Sequence, residues 1–360
     1  VTNIMGTSDT TVRSDTTVRG AHLVGSVNLP DAESVFRAAV EFLGDRLTRI
    51  PDGEPAERGN WISFQLPILG ATPGIVRVGD EPIWVEGVDY RPLAIAEGVD
   101  PAGLVLPALG YAAGAIESYA TFRRLRDGGV IRSGTRFLVA LPTAVAVVGA
   151  FVAEPDRPEF EGVYARAVYR ELEEILAAIP HDELAIQWDV AVEFQYIEGR
   201  GYWGPLASWW GDLWGGLVER AHEQLAQVPA DVEVGFHLCY GDLGESHFVE
   251  PVDAGNLARF ANSVTAGAPR PIDWFHLPVP IGRDDAAYFA PLAGLAIGDA
   301  DLYLGLVHRE DGVEGAERRI AAAGGSVATF GVGTECGMGR APRDDVAGLL
   351  TTHREVAAAV

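Results

Sequence analysis

The sequence predicts a single α/β domain folded as a (β/α)8 TIM barrel, and three observations carry that expectation. Eight short apolar or β-branched runs alternate with segments of helical period. No Gly-rich dinucleotide loop follows the first run; the nearest match, Gly331-Val332-Gly333, comes in the last unit and lacks the third glycine. A polar residue stands at or just past the end of each run, where a parallel barrel gathers its strand ends onto one face. A doubly wound open sheet is the alternative, ranked lower because the count closes at eight.

Residues 1–19 read as a flexible tail, because the hexapeptide Ser8 to Arg13 recurs as Ser14 to Arg19 and is polar without a core-facing period. The barrel is expected over residues 20–360. Its strand runs are His22 to Ser26, Leu47 to Pro51, Arg136 to Pro142, Leu184 to Val190, Val232 to Cys239, Ile272 to Leu277, Leu302 to Val307 and Ser326 to Gly333. Helical segments lie between them: Asp31 to Leu43 after a proline, Glu161 to Ile179, Leu213 to Gln227, Ala316 to Ala323 and Asp344 to Val360. The connection after the second run, Arg58 to Ser133, is long enough to be an insertion over the catalytic side, a lid or a substrate wall. Within it Ile75 to Val85 reads as a hairpin turning at Gly79-Asp80, and Ala115 to Arg126 as a helix. No linker marks off a second domain.

Composition removes several function classes. The formal charge of -24 argues against nucleic acid, whose phosphates are held by clustered cations. All 27 basic residues are arginine, so Schiff-base chemistry and a phosphate-loop lysine are excluded. No apolar stretch reaches the ~18 residues a membrane span needs, and the start lacks a signal pattern. A cytoplasmic protein is expected, with no membrane partner, and its two cysteines are read as thiols rather than a disulfide.

Those cysteines are the most informative residues. In His237-Leu238-Cys239 an imidazole and a thiol stand two apart on a strand and so share one face, which is half of a zinc site. Cys336, in Gly333-Thr334-Glu335-Cys336-Gly337, ends the last run, and barrel closure would bring it over. In chain order the strand-end residues are Ser26, Glu54, Thr143, Asp189, His237 with Cys239, His276, His308 and Cys336. His276 completes a His2Cys2 set; a carboxylate such as Glu335, or a water, is the alternative fourth ligand. His22 and His247 have no positional support and are read as structural. The segment Tyr196 to Trp214 holds four of the eight tryptophans. Tyr202 and Trp203, flanked by glycines, are the aromatic substrate-binding candidates; for Trp209, Trp210 and Trp214, packing of helix on barrel competes evenly.

Several of these motifs resemble those of the cobalamin-independent methionine synthase family, specifically its carboxy-terminal zinc barrel. His237-Leu238-Cys239-Tyr240 resembles the family's His-x-Cys zinc motif, and Glu335-Cys336-Gly337 its Asp-Cys-Gly segment. Gly25-Ser26 is similar to the Gly-Ser that touches the amino acid substrate, Gly53-Glu54 to the Gly-Glu that holds its amine, and Gln187-Trp188-Asp189 to the strand whose aspartate shares that task. His308 falls where the family has a histidine proposed as a proton donor. Two departures stand out: His276 lies on the strand that should supply a glutamate ligand, and Asp189-Val190-Ala191 lacks the Asp-Glu-Pro continuation. The amino-terminal folate-binding barrel of the full-length enzyme has no counterpart in this sequence. The chain therefore resembles a single-barrel relative in the wider group that also holds porphyrin decarboxylases.

The resemblance implies a zinc-dependent transferase moving a methyl or alkyl group to or from a small-molecule thiol. Its alkyl donor would be a corrinoid or another methyl carrier. In that scheme Zn2+ keeps the thiol as thiolate, His308 donates a proton to the leaving group, and Asp189 and Glu54 orient a polar or cationic group. The rivals are a zinc-dependent hydrolase or lyase using a bound water, and a metal-free decarboxylase-like barrel.

Overall fold

The computed structural model describes residues 16–202 and 204–360. Eight parallel strands form one curled sheet: β1 (Thr17–His22), β2 (Arg49–Pro51), β3 (Arg136–Pro142), β4 (Leu184–Val190), β5 (Glu233–Leu238), β6 (Trp274–Pro278), β7 (Asp301–Val307) and β8 (Thr329–Thr334). The hydrogen-bonded order runs β1-β8-β7-β6-β5-β4-β3-β2. The remaining seam, between β1 and β2, closes at the mouth through the bridge Ser26↔Gly53 and the 2.9 Å bond from the Val27 amide to the Gly53 carbonyl. This is the (β/α)8 barrel expected.

The strands alternate as their sequences dictate. Ile186, Trp188 and Val190 on β4, Phe236 and Leu238 on β5, and Phe275 and Leu277 on β6 join the main apolar core with the helices. The intervening residues face the lumen, where Leu138, Ala185, Trp274 and Tyr303 form a second, smaller apolar cluster. Gly235 is required there, since a Cβ at its position would come within 2.1 Å of the Trp274 ring. At the foot of the barrel Arg49 spans Trp274 (4.0 Å to the ring centroid) and Glu233 (2.6 Å), and Arg136 reaches the same carboxylate at 2.8 Å. The outer helices match the periodic segments: Ala32–Phe42, with Asp31 accepting the Ser34 amide as its cap, then Arg157–Ala178, Leu213–Ala226, Gly312–Ala323 and Val346–Val356.

Two local expectations are corrected. The first strand starts at Thr17 rather than His22: Thr17 and Val18 pair with Thr329 and Phe330, so the end of the polar repeat is recruited by the unpaired edge of β8. The rest of the expected tail, residues 1–15, lies outside the described residues. In the insertion, Ile75–Arg77 pairs with Leu93–Ile95, and the tip is a separate hairpin, Trp84–Val85 with Val88–Asp89. The turn therefore falls at Glu86-Gly87, both at positive φ, rather than at Gly79-Asp80. The insertion helix spans Tyr111–Asp127, and Glu171 holds its start, accepting from the amides of Leu109, just before it, and Ala112 at 2.6 and 2.7 Å. Among the described residues no helix is long and apolar enough to cross a membrane.

Candidate metal centre

Two elements deliver the ligand candidates. β5 carries His237 inward and passes Cys239 to the mouth, and the turn after β8 brings Cys336 beside it. Ligand atoms of His237, Cys239 and Cys336 all lie within 4.8 Å of one another. The two sulfurs are 3.7 Å apart and both thiols are free. A tetrahedral ion holding two thiolates at about 2.3 Å would separate them by about 3.8 Å. The chemistry of the pair also calls for a cation. The Cys239 contact, then burial, holds the Cys336 thiol well above its ordinary value, because two adjacent thiolates repel without a positive charge between them. His237 adds a buried Nε2 that has no hydrogen-bond partner. The residues present fit a zinc ion.

His276 stands beside this group rather than in it. Its ring is fully buried and its Nδ1 lies 2.8 Å from Nδ1 of His237, its register partner on the neighbouring strand. Burial pushes the His276 pKa down to about 3 and that of His237 well below its ordinary range, so both rings are neutral. His22, on the far side of the barrel, is 5.5 Å from His276 between ring centroids, and its Nε2 meets Gln187 Oε1 at 2.8 Å.

A cavity of about 420 Å³ opens over Cys336 and is lined also by His247, His308, Glu335 and Arg340. His308 Nε2 donates to the Val279 carbonyl at 2.8 Å, and its Nδ1 lies 3.9 Å from Glu335. Burial lowers the His308 pKa despite the Glu335 charge. His247, read from sequence as structural, lies instead in this wall, with its Nε2 3.1 Å from Glu335 and its Nδ1 3.0 Å from Glu250. Its loop carries no motif, so no sequence signal marked it.

Glu54 and Asp189 form a neighbouring acidic cluster. Asp189 accepts from the Trp61 indole at 3.1 Å and from Gln187 at 2.9 Å. Desolvation, followed by the charge of Asp189, raises Glu54 to about 8; desolvation raises Asp189 itself to about 7. Glu54, Ala56 and Trp61 all hold positive φ, so the loop after β2 stores backbone strain where it meets the mouth. Asp52 anchors that loop by accepting from Arg58 and Ser118 at 2.5 and 2.7 Å. Ser26 packs against the turn that holds Cys336: a Cβ at Gly337 would come within 2.2 Å of its hydroxyl. Sequence inspection gave no role to Trp61 or Asp52, whose partners Asp189 and Ser118 lie 128 and 66 residues away.

The aromatic candidates separate. The Tyr202 hydroxyl donates to the Ser246 carbonyl at 2.6 Å and accepts the Leu243 amide at 3.0 Å, tying down the loop after Cys239, and its ring does not line the cavity. Trp203 lies outside the described residues. Trp209 and Trp210 pack edge to face, with Trp209 donating to Glu161 at 2.6 Å, and Arg259 covers Trp214 at 3.8 Å. None of these three lines the cavity. Thr143, another strand-end residue, caps the helix Ala144–Phe151 by accepting the Ala146 amide.

Solved structures of similar fold follow this architecture over most of their length. A Listeria monocytogenes protein assigned as a vitamin-B12-independent methionine synthase superposes with a TM-score of 0.55 at 14% identity, covering 95% of this chain and 99% of that one. A B12-independent methionine synthase from Shewanella sp. W3-18-1, solved with selenomethionine, gives 0.55 at 13% identity over 95% and 97%. A methyltransferase from Methanosarcina mazei gives 0.53 at 13% identity over 95% and 94%. No family model matches the chain, and no curated protein matches it.

Proposed function

We propose that this chain is a zinc-dependent transferase that moves a methyl or larger alkyl group to or from a small thiol. The observation that carries the reading is the pair of free sulfurs 3.7 Å apart beside His237, at the edge of a cavity of about 420 Å³. The structural neighbours are methionine synthase-like proteins and a methyltransferase, and selenomethionine, present in the Shewanella structure, is a methylated selenol.

His237, Cys239 and Cys336 would hold the ion, which when bound would supply the stabilisation that keeps a substrate thiol deprotonated, since a free thiol of pKa about 8.5 is mostly protonated at neutral pH. The protein's own groups handle the rest. His308 is neutral at rest with Nε2 committed to Val279, so its Nδ1 is free to accept the thiol proton and return it to the leaving group. Glu335 lies near enough to stabilise the transient imidazolium. Glu54 and Asp189 would take an ammonium group on the substrate, which restores to both carboxylates the charge that burial opposes.

The test is metal analysis followed by zinc-edge absorption with a panel of small thiols. About one zinc per chain and a new sulfur in its sphere on thiol addition is the expected result. A protein that binds no zinc, or whose sulfur count never changes, sinks the proposal.

A further inference from the structure

We infer that His276 is a positioning residue for His237 and not a ligand, so that the chain supplies three ligands and leaves the fourth coordination position open to the cavity. The inference rests on the metal site proposed above and sharpens it.

A neutral imidazole carries one N–H, and the 2.8 Å contact joins Nδ1 of His237 to Nδ1 of His276. If His237 gives its unpartnered Nε2 to the ion, its hydrogen sits on Nδ1 and is donated to His276. That fixes His276 as the Nε2–H tautomer with Nδ1 as the acceptor. Its Nε2 is likewise buried without a hydrogen-bond partner, but strand backbone stands close against it. A Cβ on Gly333 would come within 2.7 Å of His276 Nε2, and one on Gly305 within 3.0 Å of Cε1, so the ring is slotted against the backbones of β7 and β8. One nitrogen therefore faces His237 and the other faces strand backbone.

The carboxylate beside Cys336 in the chain faces two other histidines. Glu335 has one oxygen 3.1 Å from His247 and the other 3.9 Å from His308. Of the three ligands Cys336 lines the cavity, so the open position would be reached past its sulfur. Three protein ligands with an open position is the arrangement of zinc sites that bind substrate, whereas closed four-ligand sites are structural. A thiol could then enter without displacing a protein ligand.

The decisive measurement is extended X-ray absorption on the zinc-loaded full chain, paired with chelator competition for zinc affinity. The expected sphere is two sulfurs, one imidazole and one exchangeable light atom. His276→Gln should leave that imidazole count at one while weakening zinc binding by about 10- to 100-fold, the usual cost of losing an outer partner. Two imidazoles in the unmodified protein, a test that needs no variant to fold, would overturn the inference, as would a His276→Gln protein that binds zinc as tightly as before. A chain that takes up no zinc would instead sink the metal reading itself, and with it the premise used here.

Discussion

His247 and Glu335 form an ion pair, Nε2 to Oε1 3.1 Å apart, in the wall of the cavity. Burial disfavours a charged imidazole there, but the bond to Glu335 and the charges of Glu335 and Glu250 outweigh it and push the His247 pKa up to about 9. An imidazole raised from its ordinary value stabilises the fold fully below about pH 6.5, and that stabilisation is lost as pH rises through 9. Glu335→Gln should therefore cost about 1–3 kcal/mol at pH 6 and much less at pH 10. Urea unfolding of chelator-treated protein at the two pH values measures this; a cost that does not shrink at high pH would contradict the pairing.

Cys239→Ser should abolish tight zinc binding and turnover together while leaving the helical circular dichroism unchanged, because a hydroxyl replaces a thiolate at nearly the same size. The buried sulfur also accepts the Gly241 amide at 3.2 Å, a contact an oxygen can keep, so folding should survive. Retained stoichiometric zinc in this variant would place the metal elsewhere.

Both residues of the Cys239 and Cys336 pair were legible in the sequence because strand-end phase is a local property that the barrel converts into proximity. His276 shows where that reasoning stops. Strand phase puts it in the lumen, but only the register His237↔His276 and the glycines at 305 and 333 determine that its nitrogens point at a neighbouring ring and at backbone. Thr17 was hidden for a related reason, since a polar repeat becomes strand when a long-range edge pairs with it. His247 sits in a loop without period, and its partner Glu335 is 88 residues away in sequence (335 minus 247), so nothing local announces the pair.

Glu54 and Asp189 share a desolvated corner, with pKa values raised to about 8 and about 7. A carboxyl raised on folding binds its proton more tightly in the native state, so stability should fall as pH climbs from about 4.5 towards 8. Glu54→Gln should flatten that fall in urea titrations. The same change should raise KM about 10- to 100-fold for a thiol bearing an ammonium group, the loss of one charge-assisted contact, and leave KM for its des-amino analogue unchanged. An equal rise for both thiols would remove Glu54 from amine recognition.

Gly235 links the foot of the barrel to the candidate metal centre. It stands two residues before His237 on the same face, and an added methyl would enter the Trp274 ring, which has no exposed surface and is clamped by Arg49 at 4.0 Å. Since Trp274 cannot retreat, β5 must shift, and overpacking of this kind costs about 1–3 kcal/mol. The shift should also disturb the 2.8 Å contact between His237 and His276, since these lie two residues further along the same paired strands. Gly235→Ala should therefore lower both the urea midpoint and the zinc affinity, whereas an exposed control such as Gly348→Ala, which has open space around it, should lower neither. A Gly235→Ala protein with normal zinc affinity and reduced stability would show that strand position and ligand geometry are uncoupled.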